Sequence, residues 1–197
     1  MIKLSKASKM PCQSFSLPAQ ACRNGSALAS VKGSVCHQCY ALKGMYRFPM
    51  VKASREHNLA SLPTDLLGWD EWIDRMVKSI KGSFFRWFDS GDLQSMDMLV
   101  AICRIASRRP DVSFWLPTKE YRIIRKFPFE FPSNLIVRVS SPMMDQAPLK
   151  AFPHTSTVHQ AKDPVGFVCP APTQGGKCGD CRACWDKSIK NISYKVH

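Results

Sequence analysis

The sequence lacks any long apolar run. Its longest clean one covers about five residues, from Leu99 to Cys103, whereas a membrane-spanning helix needs about 20. The basic N-terminus is not followed by the apolar stretch of a secretory signal, and neither repeats nor low-complexity tracts are present. We therefore expect a chain without a membrane partner, located in the cytoplasm.

Acidic residues are also scarce. The 15 Asp and Glu residues face 28 Lys and Arg residues, so the formal net charge is +13. This excess favours a polyanionic partner, either a nucleic acid or an anionic small molecule. Hydrophobic residues make up 45% of the 197 positions and charged residues 22%, a composition that predicts one globular domain rather than a disordered chain.

Cysteine is abundant instead. The nine residues are Cys12, Cys22, Cys36, Cys39, Cys103, Cys169, Cys178, Cys181 and Cys184. An odd number in a reducing compartment argues against a disulfide framework and favours metal ligands or catalytic thiols. Cys103 stands alone in the middle of the chain, on the apolar face of a predicted helix, and we expect it to pack in the core.

The chain divides into three segments within the single predicted domain. Residues 1–60 form a mostly irregular, Cys-containing segment, residues 61–160 a βα core, and residues 161–197 a Cys-rich tail. Apolar periodicity predicts helices over 70–81 and 95–108, with short ones over 36–43 and 121–126. Compact apolar runs predict strands over 84–88, 112–116, 135–139 and 156–159. Strands that alternate with helices in this way indicate βαβ units and a parallel sheet.

The tail carries the motif Cys-x8-Cys-x2-Cys-x2-Cys, which we call the C-terminal cysteine group: Cys169, Cys178, Cys181 and Cys184. Structural zinc sites usually draw their ligands from separated Cys-x2-Cys pairs. A continuous Cys-x2-Cys-x2-Cys run is instead typical of loops that hold a [4Fe-4S] cluster, with a fourth cysteine from elsewhere. The motif thus favours an iron–sulfur cluster bound by these four residues, with zinc as the alternative.

A second set lies near the other end of the chain. Cys36 and Cys39 form a Cys-x2-Cys pair and Cys22 lies upstream; these three are the N-terminal cysteine group. Cys12 either completes a four-thiol site with them or takes no part. Each end could hold its own cluster, or the two ends could share one, so the sequence allows one or two [4Fe-4S] clusters. Three cysteines would leave one iron open to substrate, whereas four would close the cluster.

Polar residues follow two of the predicted strands. Asp89 and Asp92 come after the first strand of the core, and Lys119 and Glu120 after the second. Ligands of parallel α/β sheets bind at the carboxyl ends of the strands, so these four residues are candidates for general acid–base work or substrate anchoring. The alternative is that Asp89 and Asp92 are ordinary turn residues.

Several long motifs resemble the phage gene product 88 family over nearly the whole chain. They are Ser14-Phe15-Ser16-Leu17-Pro18-Ala19, Cys36-His37-Gln38-Cys39-Tyr40-Ala41-Leu42-Lys43-Gly44, Arg86-Trp87-Phe88-Asp89-Ser90-Gly91-Asp92-Leu93, Trp115-Leu116-Pro117-Thr118-Lys119-Glu120-Tyr121 and the tail from Cys169 to Trp185. That family has little established chemistry, so the resemblance implies a phage origin rather than an activity. If a phage encodes the chain, its expected location is the host cytoplasm.

The order of motifs is also similar to radical-SAM proteins, in which a partial (βα) barrel carries a [4Fe-4S] cluster near the strand ends. In that comparison Cys36 and Cys39 match the last two cysteines of the Cys-x3-Cys-x2-Cys loop. Position 32 is Lys, so the first cysteine is missing, which argues against S-adenosylmethionine binding. The tail from Cys178 to Trp185 resembles the auxiliary-cluster loops of some of these enzymes.

The sequence therefore predicts an α/β iron–sulfur protein on a partial (βα) barrel of radical-SAM type, a redox or radical enzyme for a nucleotide, nucleic acid or other anionic substrate. The alternative is a zinc-stabilised basic module that binds nucleic acid without catalysis.

Overall fold

The computed structural model describes residues 1–6 and 8–196, and its centre is one sheet of eight strands. The strands are β1 (Leu4–Lys6), β2 (Gln13–Phe15), β3 (Phe84–Trp87), β4 (Ser113–Thr118), β5 (Leu135–Ser140), β6 (Thr155–His159), β7 (Phe167–Val168) and β8 (Asn191–Lys195). Their order in the sheet is β1-β2-β3-β4-β5-β6-β8-β7. The β1–β2 pairing is antiparallel and every other pairing is parallel. Within the described residues β1 and β7 are the two edges, so the sheet is open.

Five α-helices accompany the sheet: α1 (Arg23–Ala29), α2 (Pro49–Ala60), α3 (Leu66–Ser79), α4 (Met96–Arg108) and α5 (Tyr121–Lys126). The Asp65 side chain caps α3 by accepting a hydrogen bond from the Gly68 amide at 2.7 Å. Ser95 caps α4 in the same way, from the Met98 amide at 3.1 Å. Such caps satisfy amide groups that have no partner inside the helix. No helix in the described part of the chain is long and apolar enough to cross a membrane.

One face of the sheet packs against α3 and α4 and forms the hydrophobic core. Side chains alternate between the two faces of a strand, so Phe85 and Trp87 of β3 point into this core together with Phe114 of β4. Trp72 of α3 stacks on Trp87 with 6.2 Å between ring centroids. Cys103 of α4 is buried in the same core, as the sequence predicts.

The strand residues that alternate with these point to the other face of the sheet, which the C-terminal segment covers. The Trp185 ring packs edge-on against Trp115 of β4, with 5.5 Å between centroids, and its Nε1 donates to the Phe85 carbonyl at 2.9 Å. Arg138 of β5 is completely buried there. Its guanidinium donates to four backbone carbonyls of the segment: those of Ala183, Cys184, Asp186 and Ile189.

The predicted α/β class and parallel sheet are confirmed, and the four predicted strands and both long helices form close to their predicted bounds. The prediction of a mostly irregular 1–60 is wrong, since α1, α2, β1 and β2 lie there. The three-residue strands β1 and β2 are too short to show periodicity, and α2 buries only Asn58. The helix predicted over 36–43 is also wrong, because turns and a short 3-10 helix at Tyr40–Leu42 occupy it.

Candidate functional site

The N-terminal cysteine group lies over the carboxyl ends of the parallel strands. Cys22 immediately precedes α1, which follows β2. The loop that carries Cys36 and Cys39 is attached to the chain just beyond β5, because the Val35 amide donates to the Pro142 carbonyl at 2.9 Å. Residues from three distant parts of the sequence thus meet at the edge of the sheet where α/β proteins bind their ligands.

Gly25 shows how closely the sulfurs of this group approach. A Cβ atom placed on Gly25 would stand 3.6 Å from the Cys22 Sγ and 3.7 Å from the Cys36 Sγ, so both sulfurs border one small space. Burial, together with the charges of Asp92, Cys39 and Cys36, raises the pKa of Cys22 to about 12. Burial also raises the pKa of Cys36, against the opposing charge of Lys119.

Glu120 holds α1 in place rather than standing free. Its two carboxylate oxygens accept hydrogen bonds from the Asn24 amide and from the Asn24 Nδ2, each at 3.1 Å. The same Nδ2 donates to the Lys119 carbonyl at 2.7 Å. Glu120 is buried, so this contact fixes the start of α1, and with it Cys22, to the end of β4.

Asp92 joins the ends of β3 and β4. Its carboxylate accepts from the Thr118 hydroxyl at 2.6 Å, the Lys119 amide at 2.8 Å and the Leu93 amide at 2.8 Å. Burial raises the pKa of Asp92 to about 6, although these donors and the Lys119 charge lower it. Asp92 also lies near enough to Cys22 to raise the pKa of that thiol. Of the four predicted catalytic residues, Asp92, Lys119 and Glu120 therefore surround the N-terminal group.

Asp89 belongs to a different network, one that starts on β3. Its Oδ1 accepts from the Arg86 Nη1 at 3.1 Å, and its Oδ2 accepts from the Tyr46 hydroxyl at 2.8 Å and lies 3.7 Å from the Arg55 Nη2. The Tyr40 hydroxyl donates to the Asp89 carbonyl at 2.7 Å. Asp89 therefore binds the residue that directly follows Cys39.

The C-terminal cysteine group lies on the sheet face opposite the core. The Cys169 amide donates to the Ser193 carbonyl of β8 at 3.0 Å, and the Cys184 Sγ is 3.4 Å from the Tyr194 hydroxyl. Burial raises the pKa of Cys184 to about 12 and that of Cys178, which the charges of Cys169 and Cys181 raise further. In each group the cysteines raise the pKa values of other cysteines of the same group.

Cys12 lies with the C-terminal group, a place the sequence did not predict. It is buried, and burial together with the charge of Cys178 raises its pKa to about 11. The Cys178 amide donates to the Lys9 carbonyl at 2.9 Å, which brings the β1–β2 hairpin against the tail. A four-thiol site of Cys12 with the N-terminal group is therefore not what the fold assembles.

The two cysteine groups offer many sulfur ligands, but their side chains are not arranged around a single metal ion. Among residues 1–6 and 8–196, no group of three or more His, Cys, Asp or Glu side chains is arranged to hold a metal ion. A tetrahedral zinc ion bonds each sulfur at about 2.3 Å, which requires sulfurs about 3.8 Å apart. His37 is occupied elsewhere, since its Nδ1 lies 2.9 Å from the Ala29 carbonyl oxygen.

The sequence did not identify two arginines that lie near the cysteine groups. Arg86 and Arg138 each interrupt an apolar strand, on the face that the C-terminal segment covers. A charge in a buried strand destabilises the folded state unless it has partners. An arginine within an apolar run was therefore the sequence signal that could have identified both residues. The Arg138 side chain donates to the Cys184 carbonyl of the C-terminal group. Burial raises the pKa of Cys178, and the charge of Arg86 opposes that rise.

Comparison with known proteins gives one match. Residues 2–187 match the family model described as Gene product 88. No curated protein and no solved structure matches the chain.

Proposed function

From the premise that the chain belongs to the gene product 88 family, we propose that it is an iron–sulfur redox protein with two cysteine groups. The observation that supports this most directly is the convergence of Cys22 and Cys36 on one space at the carboxyl edge of a parallel sheet. The second support is that Cys169 and Cys184 both lie against β8, the former through the Ser193 carbonyl and the latter through the Tyr194 hydroxyl.

The spacing of the cysteines along the sequence favours a cluster over a single ion. A continuous Cys-x2-Cys-x2-Cys run is typical of loops that hold a [4Fe-4S] cluster, and Cys178, Cys181 and Cys184 form such a run. An iron–sulfur cluster supplies one-electron transfer at a potential set by nearby charges, hydrogen bonds and solvent exposure.

The protein's own residues determine what each group can do. In the C-terminal group, four cysteines would satisfy every iron, and Arg138 fixes the chain that carries Cys184. In the N-terminal group, three cysteines leave one ligand position without a thiol, next to Lys119 and Asp92. We assign electron storage to the former and substrate contact to the latter.

The raised pKa values bear on cluster loading. Cys22, Cys36 and Cys184 are protonated at neutral pH without a metal, because burial disfavours the thiolate. Iron therefore has to displace these protons, and loading should release protons and weaken as the pH falls.

A radical-SAM-like scaffold is the finer form of the proposal. Six strands run parallel in chain order, β2-β3-β4-β5-β6-β8, and the N-terminal group follows the first of them. Cys22, placed beside Cys36, supplies the third thiol that Lys32 cannot. Addition of S-adenosylmethionine to the reduced protein should then change the electron paramagnetic resonance signal of the N-terminal group and leave that of the C-terminal group as it was.

The substrate proposed for this edge is anionic. Lys43, Arg47 and Lys52 are exposed on the segment that follows Cys39. Other cations are already neutralised: Arg108 pairs with Asp74 at 2.6 Å, and Arg109 with Asp111 at 2.7 Å. The surface next to Cys39 therefore suits a nucleotide or another anion better than the surface of α4, where carboxylates already pair with the arginines.

The test is anaerobic purification followed by iron, acid-labile sulfide and zinc analysis of each chain. Two clusters predict about eight irons and eight sulfides. The double variants C36S/C39S and C178S/C181S should each lose about half of the iron and half of the sulfide. Cys103→Ala, which removes a thiol from the hydrophobic core, is the matched control and should leave both values unchanged. Zinc without sulfide, in cells supplied with iron, would overturn the proposal in favour of a zinc-stabilised nucleic-acid-binding module.

A further inference from the structure

The first 55 residues of the chain carry most of its net charge. They contain nine Lys and Arg residues and neither Asp nor Glu, so Glu56 is the first acidic residue. The rest of the chain holds 19 Lys and Arg residues against 15 Asp and Glu residues. Such an asymmetry of charge along a sequence is typical of chains that bind polyanions.

The fold places much of this stretch across the carboxyl edge of the sheet. Residues 22–55, which we call the basic segment, run from the start of α1 into α2. Hydrogen bonds attach the segment to the chain after β3, β4 and β5, through Tyr40, Asn24 and Val35 respectively. Three neighbouring strands therefore hold it at the edge where α/β proteins bind their ligands.

Five of the six cations in the basic segment are exposed. They are Arg23, Lys32, Lys43, Arg47 and Lys52. The sixth, Arg55, lies beside Asp89. In the part of the chain that the structure describes, every ion pair involves an arginine outside the exposed set. The exposed cations are therefore available to an anion from solution.

Three carboxylates lie beneath the segment without offsetting this charge at the surface. Asp89, Asp92 and Glu120 are buried, and each accepts hydrogen bonds from groups of the protein. These carboxylates are thus already satisfied inside the fold. The outer side of the basic segment presents positive charge to the solvent.

The exposed cations are too far apart to converge on one small anion. The helix α1 has seven residues and is therefore about 10 Å long. Arg23 begins this helix and Lys32 lies three residues beyond its end, while the other three cations follow Cys39. A single phosphate group needs cations that converge on it, whereas a nucleic-acid strand presents phosphates along its whole length.

Large apolar side chains are exposed among these cations. Met45, Phe48 and Met50 are 70%, 56% and 85% exposed, and a concentration of this kind marks a binding surface. An exposed ring beside positive charges can stack on the face of an unpaired base. A duplex hides those faces, so Phe48 favours a single strand. The three residues lie in turns and at the start of α2 rather than along one helix face, which disfavours a lipid surface.

We infer that the basic segment binds single-stranded nucleic acid, with Lys43, Arg47 and Lys52 on its phosphates and Phe48 on a base. The inference rests on the proposed function in one respect, the anionic substrate assigned to this edge, and narrows that substrate to a polymer. A strand held in this way passes next to Cys39, which the same segment carries.

The experiment measures binding by fluorescence anisotropy at several salt concentrations, with labelled oligo-dT and oligo-U of about 20 nucleotides, longer than one single-strand site. Each phosphate contact should contribute about −0.7 to the slope of log K against log salt. The triple variant K43Q/R47Q/K52Q should weaken binding at least about tenfold at low salt and make the slope shallower by about 2. The control K81Q/K150Q/K190Q removes the same charge from exposed lysines that precede β3, β6 and β8. It should bind as the unmodified protein does.

Phe48→Leu tests the contact with a base. It keeps an apolar side chain and removes the ring, so binding should weaken at least about fivefold with the salt slope unchanged. Phe129→Leu, at another exposed ring, is the control and should keep the affinity. A preference for oligo-U or for oligo-dT identifies the strand as RNA or as DNA, and either supports the inference.

Two results would overturn the inference. One is an equal loss of affinity in both triple variants, and the other is tighter binding to the matching duplex or to phosphatidylserine vesicles than to the single strands. Iron and sulfide are measured on the same samples. Salt-dependent binding by protein without iron and sulfide would overturn the proposed function and support this inference. Fully loaded protein that binds neither single strand would overturn this inference alone.

Discussion

Asn24 and Glu120 are 96 positions apart in the chain, and both oxygens of the Glu120 carboxylate accept hydrogen bonds from Asn24. One donor is the backbone amide in the first turn of α1 and the other is the side-chain amide. This contact ties the helix that follows Cys22 to the loop after β4. It makes Glu120 a positioning residue for the N-terminal group.

Glu120→Ala should therefore loosen α1. Loss of two charge-assisted hydrogen bonds from a buried carboxylate is expected to lower the free energy of unfolding by about 2–4 kcal/mol, measured by urea denaturation. The iron content of the N-terminal group should fall while that of the C-terminal group is kept. Glu130→Ala, at an exposed carboxylate, is the control. Full iron in the Glu120→Ala protein would show that α1 does not depend on this anchor.

Gly25→Ala sets two effects against each other. Alanine is the better helix former by about 1 kcal/mol, but its Cβ would stand 2.9 Å from the Cys22 Cβ. We expect the steric effect to prevail and to displace Cys22, with loss of iron from the N-terminal group only. Ser26→Ala on the same helix should have little effect. A Gly25→Ala protein that is more stable and fully loaded would show that Cys22 and Gly25 are not in close contact.

Arg138→Met should release the tail. Four carbonyl groups would lose a charged donor in a buried place, and we expect at least about 2 kcal/mol of destabilisation. Hydrogen exchange should quicken in residues 181–189 and the C-terminal group should lose iron. Arg122→Met, on the exposed side of α5, controls for loss of charge. Unchanged exchange in that segment would mean that other contacts hold it.

The raised pKa of Asp92 predicts that the stability of the fold depends on pH. Its pKa is about 6 in the folded chain and about 3.9 when unfolded, so the folded state binds the proton more tightly. The contribution of Asp92 to stability is thus fully present below pH 4, is lost as the pH rises through 6, and is constant above.

The change amounts to at most about 3 kcal/mol. It is measured as the difference in unfolding free energy between the unmodified protein and Asp92→Asn at several pH values. Asp97→Asn, on the first turn of α4, is the comparison. A difference that stays flat between pH 4 and pH 6 would contradict the shifted pKa.

Local patterns explain why the βα core could be predicted. The helix that begins after Ser95 has a cap and an apolar stripe, and α5 follows a turn signal, so both appear at their expected bounds. The N-terminal segment could not be predicted because β2 has three residues and takes its place from pairing with β3. No local signal reports a partner so distant in the chain.

The candidate site was predictable in its residue types and not in its arrangement. Cysteine spacing indicated two groups, but Cys12 appears in the second only because the hairpin meets the tail. Asp92 and Glu120 were identified from their positions after strands, but their hydrogen-bond partners could not be identified from the sequence. The sequence shows which side chains can bind, and packing determines what remains available.

The hydrogen bond from the Cys178 amide to the Lys9 carbonyl joins nearly opposite ends of the chain. During synthesis on the ribosome, Lys9 emerges long before Cys178. The N-terminal group has all its thiols once residue 39 is out, and its anchors at Glu120 and Pro142 follow later. The C-terminal group needs Lys9 and Cys178 together. The N-terminal group can therefore assemble on the ribosome before the C-terminal group does.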